Sequence, residues 1–164
     1  MRMMPENLRD RTVVVISGSR SLRDYWKFSK ALRSFLERFD KNSIVLLQGE
    51  AFLGVDRMAR IFAKRNGYAL VGFPADWNNP DPKYKRIAGH IRNGEMMEVA
   101  NVFFAWHDGV SKGTKNAIDR ALKKRLVTHI SLSVPRDNYE ELNIRTIVKV
   151  RRCGDLAISP ILCR

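Results

Sequence analysis

The sequence predicts an α/β protein, a doubly wound parallel sheet of five strands with helices on both faces. Three observations carry this expectation. Short apolar runs rich in β-branched residues recur at Thr12–Ile16, Ile44–Leu47, Tyr68–Phe73, Val102–Trp106 and Val127–Ser133, the kind that forms strands buried on both faces. Between them, apolar residues repeat at three- and four-residue spacing, the mark of amphipathic helices. Strands that alternate with helices close into a parallel sheet through right-handed crossovers, and no internal repeat or low-complexity segment interrupts the alternation.

Each element has its own local signal. The first strand ends in Gly18-Ser19-Arg20, a turn of small residues followed by a guanidinium. Leu22–Phe39 reads as a helix with Trp26, Leu32, Phe35, Leu36 and Phe39 on its apolar stripe. Asp40-Lys41-Asn42 turns the chain into the second strand, which leads through Gly49-Glu50-Ala51-Phe52-Leu53-Gly54-Val55-Asp56 into a helix carrying Met58, Ile61 and Phe62. Asn66-Gly67 stops that helix. After the third strand, Pro74, Pro80 and Pro82 exclude both helix and central strand, so this stretch is a loop. Tyr84–Val99 returns to helix. The fourth strand breaks at His107, and a helix with Ala117, Ile118, Ala121 and Leu122 on one stripe is expected to begin after Gly113. The cluster Lys123-Lys124-Arg125 suits its carboxyl end. Residues 1–134 form the expected domain, and 135–164 an extension packed on it. There, Ile144–Val150 alternates apolar and charged residues and adds an extra edge strand.

Composition narrows the function classes. A chain of 164 residues is long enough for a core without staples. The net charge of +13, from 30 Lys and Arg against 17 Asp and Glu, favours polyanionic or nucleotide partners. The cations are spread along the chain without an arginine-rich arm or an aromatic-basic interleave, so nucleic acid is compatible but no mode of binding it is specified. No apolar run reaches a membrane span, and the polar start MRMMPENLRDR lacks an export signal. A cytoplasmic protein without a membrane partner is expected. Cys153 and Cys163 have no nearby histidine cluster and make neither a zinc site nor a disulfide framework. His90, His107 and His129 lie on different elements without ligand spacing; no metal and no cofactor is expected. A Walker lysine is missing, which excludes a P-loop NTPase. Gly109–Gly113 spells G-x-S-x-G, but Ser111 is placed in a loop and His129 inside a strand, against a serine hydrolase.

The ligand-binding edge follows from topology. Doubly wound sheets bind ligands beyond the carboxyl ends of their strands, where the strand order reverses. In the order 3-2-1-4-5, strands one and four are neighbours at that point, and Gly18-Ser19-Arg20 faces Ser111-Lys112-Gly113-Thr114. A helix amino terminus attracts phosphate through free N–H groups and its dipole. Ser111 and Thr114 add hydroxyls there, Lys112 and Lys115 add charge, and Gly113 admits close approach. Arg20 offers a fork of donors. Gly49 and Gly54 allow close approach after strand two. Asp56 either accepts from ribose hydroxyls or caps its helix, capping being the commoner role. Trp77 either stacks on a base or plugs the core edge, and Arg92 and Asn93 come to the same edge from the preceding helix.

These motifs together, GSR after strand one, GxA…GVD after strand two, PADW after strand three, AGHIRNGEM before strand four and DGVSKGT after it, resemble the YspA/YpsA-related branch of the SLOG superfamily. That superfamily also contains the LOG phosphoribohydrolases and the DNA-processing protein DprA. The resemblance spans Thr12 to Ser133. It implies a Rossmann-like fold that binds nucleotides or nucleotide-derived ligands as a sensor or sequestering module, and a homodimer. The implied ligand-binding residues are Gly18, Ser19, Arg20, Gly49, Ala51, Gly54, Asp56, Asp76, Trp77, Arg92, Asn93, Ser111, Gly113 and Thr114. Two departures stand out. Glu50 occupies a position where the family carries glycine or another small residue, in a loop one residue longer. LOG enzymes carry a catalytic glutamate three residues after their motif threonine; here that position is Ala117, and Asp119 lies off that face. The resemblance therefore implies binding rather than LOG-type hydrolysis, and no catalytic residue is assigned. Two alternatives remain: an N-glycosidic hydrolase, for which Asp56, Asp76 and Asp108 are the loop carboxylates, and a DprA-like DNA-binding protein whose affinity falls with salt.

Overall fold

The computed structural model describes Leu8, residues 10–133 and the strand Arg151–Arg152. The strands β1 (Thr12–Gly18), β2 (Ile44–Gln48), β3 (Ala69–Gly72), β4 (Val102–His107), β5 (Val127–Leu132) and β6 (Arg151–Arg152) form one parallel sheet in the order β3-β2-β1-β4-β5-β6. The expected order of the first five strands is the observed one. The extra edge strand is β6, which pairs with Ser131 and Leu132 of β5. The stretch 144–150, where it was expected, and both cysteines lie outside the described residues.

Alternation along the strands divides two cores. Val14, Ile16, Ile44, Leu46, Phe104 and Trp106 face helices α1 (Tyr25–Leu36) and α2 (Gly54–Asn66). Val13, Val15, Val45, Leu47, Phe103 and Ala105 face α3 (Pro82–Val99) and α4 (Lys112–Lys123). Each fully buried aliphatic or aromatic side chain contributes about 1.5–3 kcal/mol. Trp106 lies flat on Phe28, with ring centroids 5.6 Å apart and planes 7° apart.

Three helix starts differ from the sequence expectation. The first helix begins at Tyr25, where Asp24 accepts from the Lys27 N–H at 3.1 Å, and not at Leu22. Its buried stripe runs through Phe28, Leu32 and Phe35. Trp26, expected on that stripe, is two residues out of phase with Phe28 and is 76% exposed. The third helix begins at Pro82 rather than Tyr84, with Asp81 as its N-cap, because proline is tolerated in the first turn, where its missing N–H has no helical partner to lose. The helix expected after Gly113 begins at Lys112, because Ser111 serves as its N-cap.

Candidate functional site

The sheet places β1 beside β4, with Gly18 opposite Trp106, so the loops that follow these strands meet. Ser19 is fully buried; its Oγ accepts from the Asp108 N–H at 3.1 Å and lies 3.5 Å from Thr114 Oγ1. Asp108 is the knot of this junction. Its carboxylate accepts from Ser21 Oγ at 2.5 Å, from the Ser111 N–H at 2.9 Å and from the Val110 N–H at 3.1 Å. Partial burial alone would raise its pKa, but these donors together hold it at about 2. Asp108 is therefore a permanently charged fastener at neutral pH and has no proton to give. His107 is buried and accepts the Gly109 N–H on Nδ1 at 2.7 Å. Burial keeps it neutral by lowering its pKa, against the pull of Asp108.

At the amino end of α4, Ser111 Oγ accepts from the Thr114 N–H at 3.3 Å and from Thr114 Oγ1 at 3.0 Å. Gly113 is the exception among the candidate glycines. A Cβ added there meets no atom within 4 Å. At Gly18 the added carbon would run into Val55 and the Trp106 carbonyl, at Gly49 into the Arg92 guanidinium, and at Gly54 into the backbone of Ser19 and Arg20. Those three positions are taken up by the protein's own atoms. The space beside Gly113 is left open.

Arg92 ties the β2 and β3 edges to α4. Its Nη1 donates to the carbonyls of Gly49 and Phe73, and its Nε to Asn93 Oδ1 at 3.1 Å. The buried Asn93 passes the connection on, donating to the Gly113 carbonyl at 3.2 Å and to Asn116 at 3.4 Å. Asp56, in the first turn of α2, does not cap that turn; it accepts the Ala51 N–H at 3.0 Å. Burial raises its pKa, opposed by that bond and by Arg92, Arg60 and Arg20. Arg20 also lies near enough to Arg92 to lower its pKa, beyond what burial does. Two guanidiniums thus approach one another around one buried carboxylate, and Arg20 is exposed with no side-chain hydrogen bond among the described residues.

Beyond β3, Asp76 accepts from Asn79 Nδ2 at 3.2 Å. Trp77 is 46% exposed with its ring edge against Gly89 of α3. These two stand beside the junction rather than within it. Sequence reasoning missed Ser21, Asn116 and the fastening role of Asp108. It also missed the reason that glycine suits position 50: Glu50 sits at φ 59°, in the left-handed region. No group of three His, Cys, Asp or Glu side chains among the described residues is arranged to hold a metal ion, and no helix among them is long and apolar enough to cross a membrane.

Residues 12–79, which contain the loops after β1, β2 and β3, match the family described as "YAcAr: YspA, cpYpsA-related SLOG family". That match covers less than half of the chain, and over it the chain is similar to this family. Solved structures share the fold of the chain beyond that span. DNA processing protein A from Streptococcus pneumoniae superposes with a TM-score of 0.62 at 16% identity over 83% of this chain. The chain spans only 56% of that protein's length. DNA processing protein A from Helicobacter pylori, studied for its single-stranded DNA binding mode, gives 0.59 at 18% identity over 90% of this chain and 78% of its own. The molybdenum cofactor binding protein from Rippkaea orientalis gives 0.60 at 17% identity over 85% of this chain and 90% of its own. At such identities the shared property is the fold. The comparison with curated proteins gave no match to this chain.

Proposed function

We propose that this protein binds a nucleotide or nucleotide-derived ligand at the carboxyl edge of its sheet, as a sensor or sequestering module. The observation that carries the proposal is the amino end of α4 left open at Gly113, with Arg20 exposed on the neighbouring loop that follows β1. Asp56 offsets part of the repulsion between Arg20 and Arg92, an anion would offset the rest, and guanidinium forks suit phosphate. The first turn of α4 adds N–H groups and the helix dipole, with Lys112 beside it. Asp56 supplies an acceptor suited to ribose hydroxyls. Support for binding over LOG-type hydrolysis comes from Ala117, packed in the core where those enzymes place glutamate, and from Asp119, which pairs with Lys115 at 3.0 Å on the exposed face. A homodimer is the proposed assembly; a clean monomer by light scattering would remove it.

One observation favours a second reading. The raised pKa of buried Asp56 is the kind of perturbation that general acid–base catalysis exploits, and N-glycosidic hydrolysis needs such a carboxylate. The experiment that separates the two is chromatography after overnight incubation with AMP, NAD or ADP-ribose. Intact recovery of a compound that binds supports the module. Free base that disappears in Asp56→Asn establishes the hydrolase instead.

A further inference from the structure

We infer that the carboxyl edge of the sheet is also the face by which this protein docks on an anionic lipid surface, its apolar loop tips entering the headgroup layer and its cations resting on it. The expectation of no membrane partner rested on the missing span, whereas lying on a bilayer requires none. Seven large apolar side chains are exposed among the described residues. Such residues need no explanation where they are scattered singly, but here they gather. Phe52 and Leu53 lie in the loop after β2, Trp77 in the loop after β3 and Val110 in the loop after β4. Phe52 is 89% exposed and Val110 81%, so both project rather than pack.

Ile87 joins them from α3. The hydrogen bonds from Arg92 to the Gly49 and Phe73 carbonyls set the height of that helix, because those residues directly follow β2 and β3. The residues before Arg92 therefore rise beyond the sheet edge, and the exposed Ile87 stands about 7.5 Å above Arg92. The other two exposed side chains lie elsewhere. Val127 opens β5 at the opposite edge. Trp26 is on α1, whose Phe28 ring packs 6.5 Å from Phe62 of α2. That contact sets Trp26 about six residues, or 9 Å, below the start of α2 at Gly54.

The same edge is basic. Arg20, Arg57, Lys83, Lys85, Arg86 and Lys112 are exposed in its loops and outer helical turns, and none forms an ion pair among the described residues. The exposed carboxylates near them are Asp24, Glu50 and Asp81, and Asp24 and Asp81 are occupied in capping α1 and α3. The tips follow β3, β2 and β4, which span three strand spacings, about 14 Å. A folded partner would need a matched pocket for each of these separate tips. A headgroup layer is laterally uniform and takes them in any arrangement. Its anionic lipids also attract each nearby Lys or Arg, about fivefold in affinity apiece, and the net charge of +13 adds attraction at longer range.

The test is co-sedimentation of the full chain with vesicles of phosphatidylcholine, with and without phosphatidylglycerol. The expected result is binding about tenfold or more tighter to the anionic vesicles. The double variant Phe52→Ser/Val110→Ser keeps the charge and removes two tips; it should weaken that binding about tenfold, while Trp26→Ser stays within about twofold of wild type. Bromine on the acyl chains should quench the emission of Trp26→Phe, which retains Trp77, more than that of Trp77→Phe, which retains Trp26; Trp106 is buried in both. Failure to bind either vesicle, or equal quenching in the two tryptophan variants, overturns the inference. Binding indifferent to Phe52→Ser/Val110→Ser overturns it too, as adsorption of a basic chain by charge alone. A lower light-scattering mass in that double variant without vesicles would assign the edge to a second copy of this chain. The vesicles carry no nucleotide, so each of these outcomes leaves the nucleotide site as it stands.

Discussion

Gly113→Ala separates what folding asks of the amino end of α4 from what a ligand asks of it. Gly113 is the second residue of the helix and does not adopt a positive φ. A methyl group there meets no atom within 4 Å. Alanine in place of a helical glycine at an unstrained position stabilises by about 0.4–1 kcal/mol, which for a chain of this size is a rise in melting temperature of roughly 1–4 °C. A phosphate seated on the same turn would have to share its space with the new methyl group. Overpacking of that kind costs about 1–3 kcal/mol, so affinity should fall about tenfold. Melting curves with and without the nucleotide that best stabilises the wild-type protein read both quantities at once. The variant should melt higher alone and gain less from ligand. A variant that melts higher and keeps the full ligand shift would place the ligand elsewhere, and one that melts lower would show that the space beside Gly113 is not open.

Four further variants probe the charged groups. Arg20→Ala, at an exposed side chain, should change stability by less than about 0.5 kcal/mol yet remove nucleotide binding. Arg92→Ala should do both, costing about 1–3 kcal/mol for the carbonyls left unpaired, as urea titration would measure. Asp56→Asn should raise stability at neutral pH, because a buried carboxyl with a raised pKa destabilises the fold wherever it is ionised; the gain should vanish as the pH falls below the ordinary value of 3.8. Asp108 has the opposite sign. Its pKa is lowered to about 2, so its contribution is full above about pH 4 and lost as the pH falls through 2. Asp108→Asn should therefore lower stability at pH 7, and the difference from wild type should shrink in acid-unfolding curves between those limits.

Much of the fold was legible because each strand announced itself by a β-branched run and each helix by its stripe. Alternation then left few topologies, and the meeting of Gly18-Ser19-Arg20 with the Ser111–Thr114 turn followed from strand order alone. What escaped depended on how elements sit against each other. Gly49 reads in sequence as room for a ligand; only the height of α3 shows that Arg92 fills it. Trp26 reads as core at a tolerable spacing, and only the true helix start shifts the phase to Phe28. The start of α4 at Lys112 escaped because Ser111 caps it through Thr114 while Asp108 fastens the preceding turn, a set of bonds with no periodicity to reveal it.

The most direct measurement is a thermal-shift screen of wild-type protein and Arg20→Ala against AMP, ADP, ATP, NAD, ADP-ribose and cyclic nucleotides. A ligand present at about a hundredfold its Kd stabilises by roughly 2.7 kcal/mol, a shift of roughly 5–11 °C at this chain length. At least one compound bearing both base and phosphate should give that shift in the wild type and lose it in Arg20→Ala. A panel that shifts nothing, or shifts both proteins alike, would contradict a nucleotide site at the carboxyl edge of this sheet.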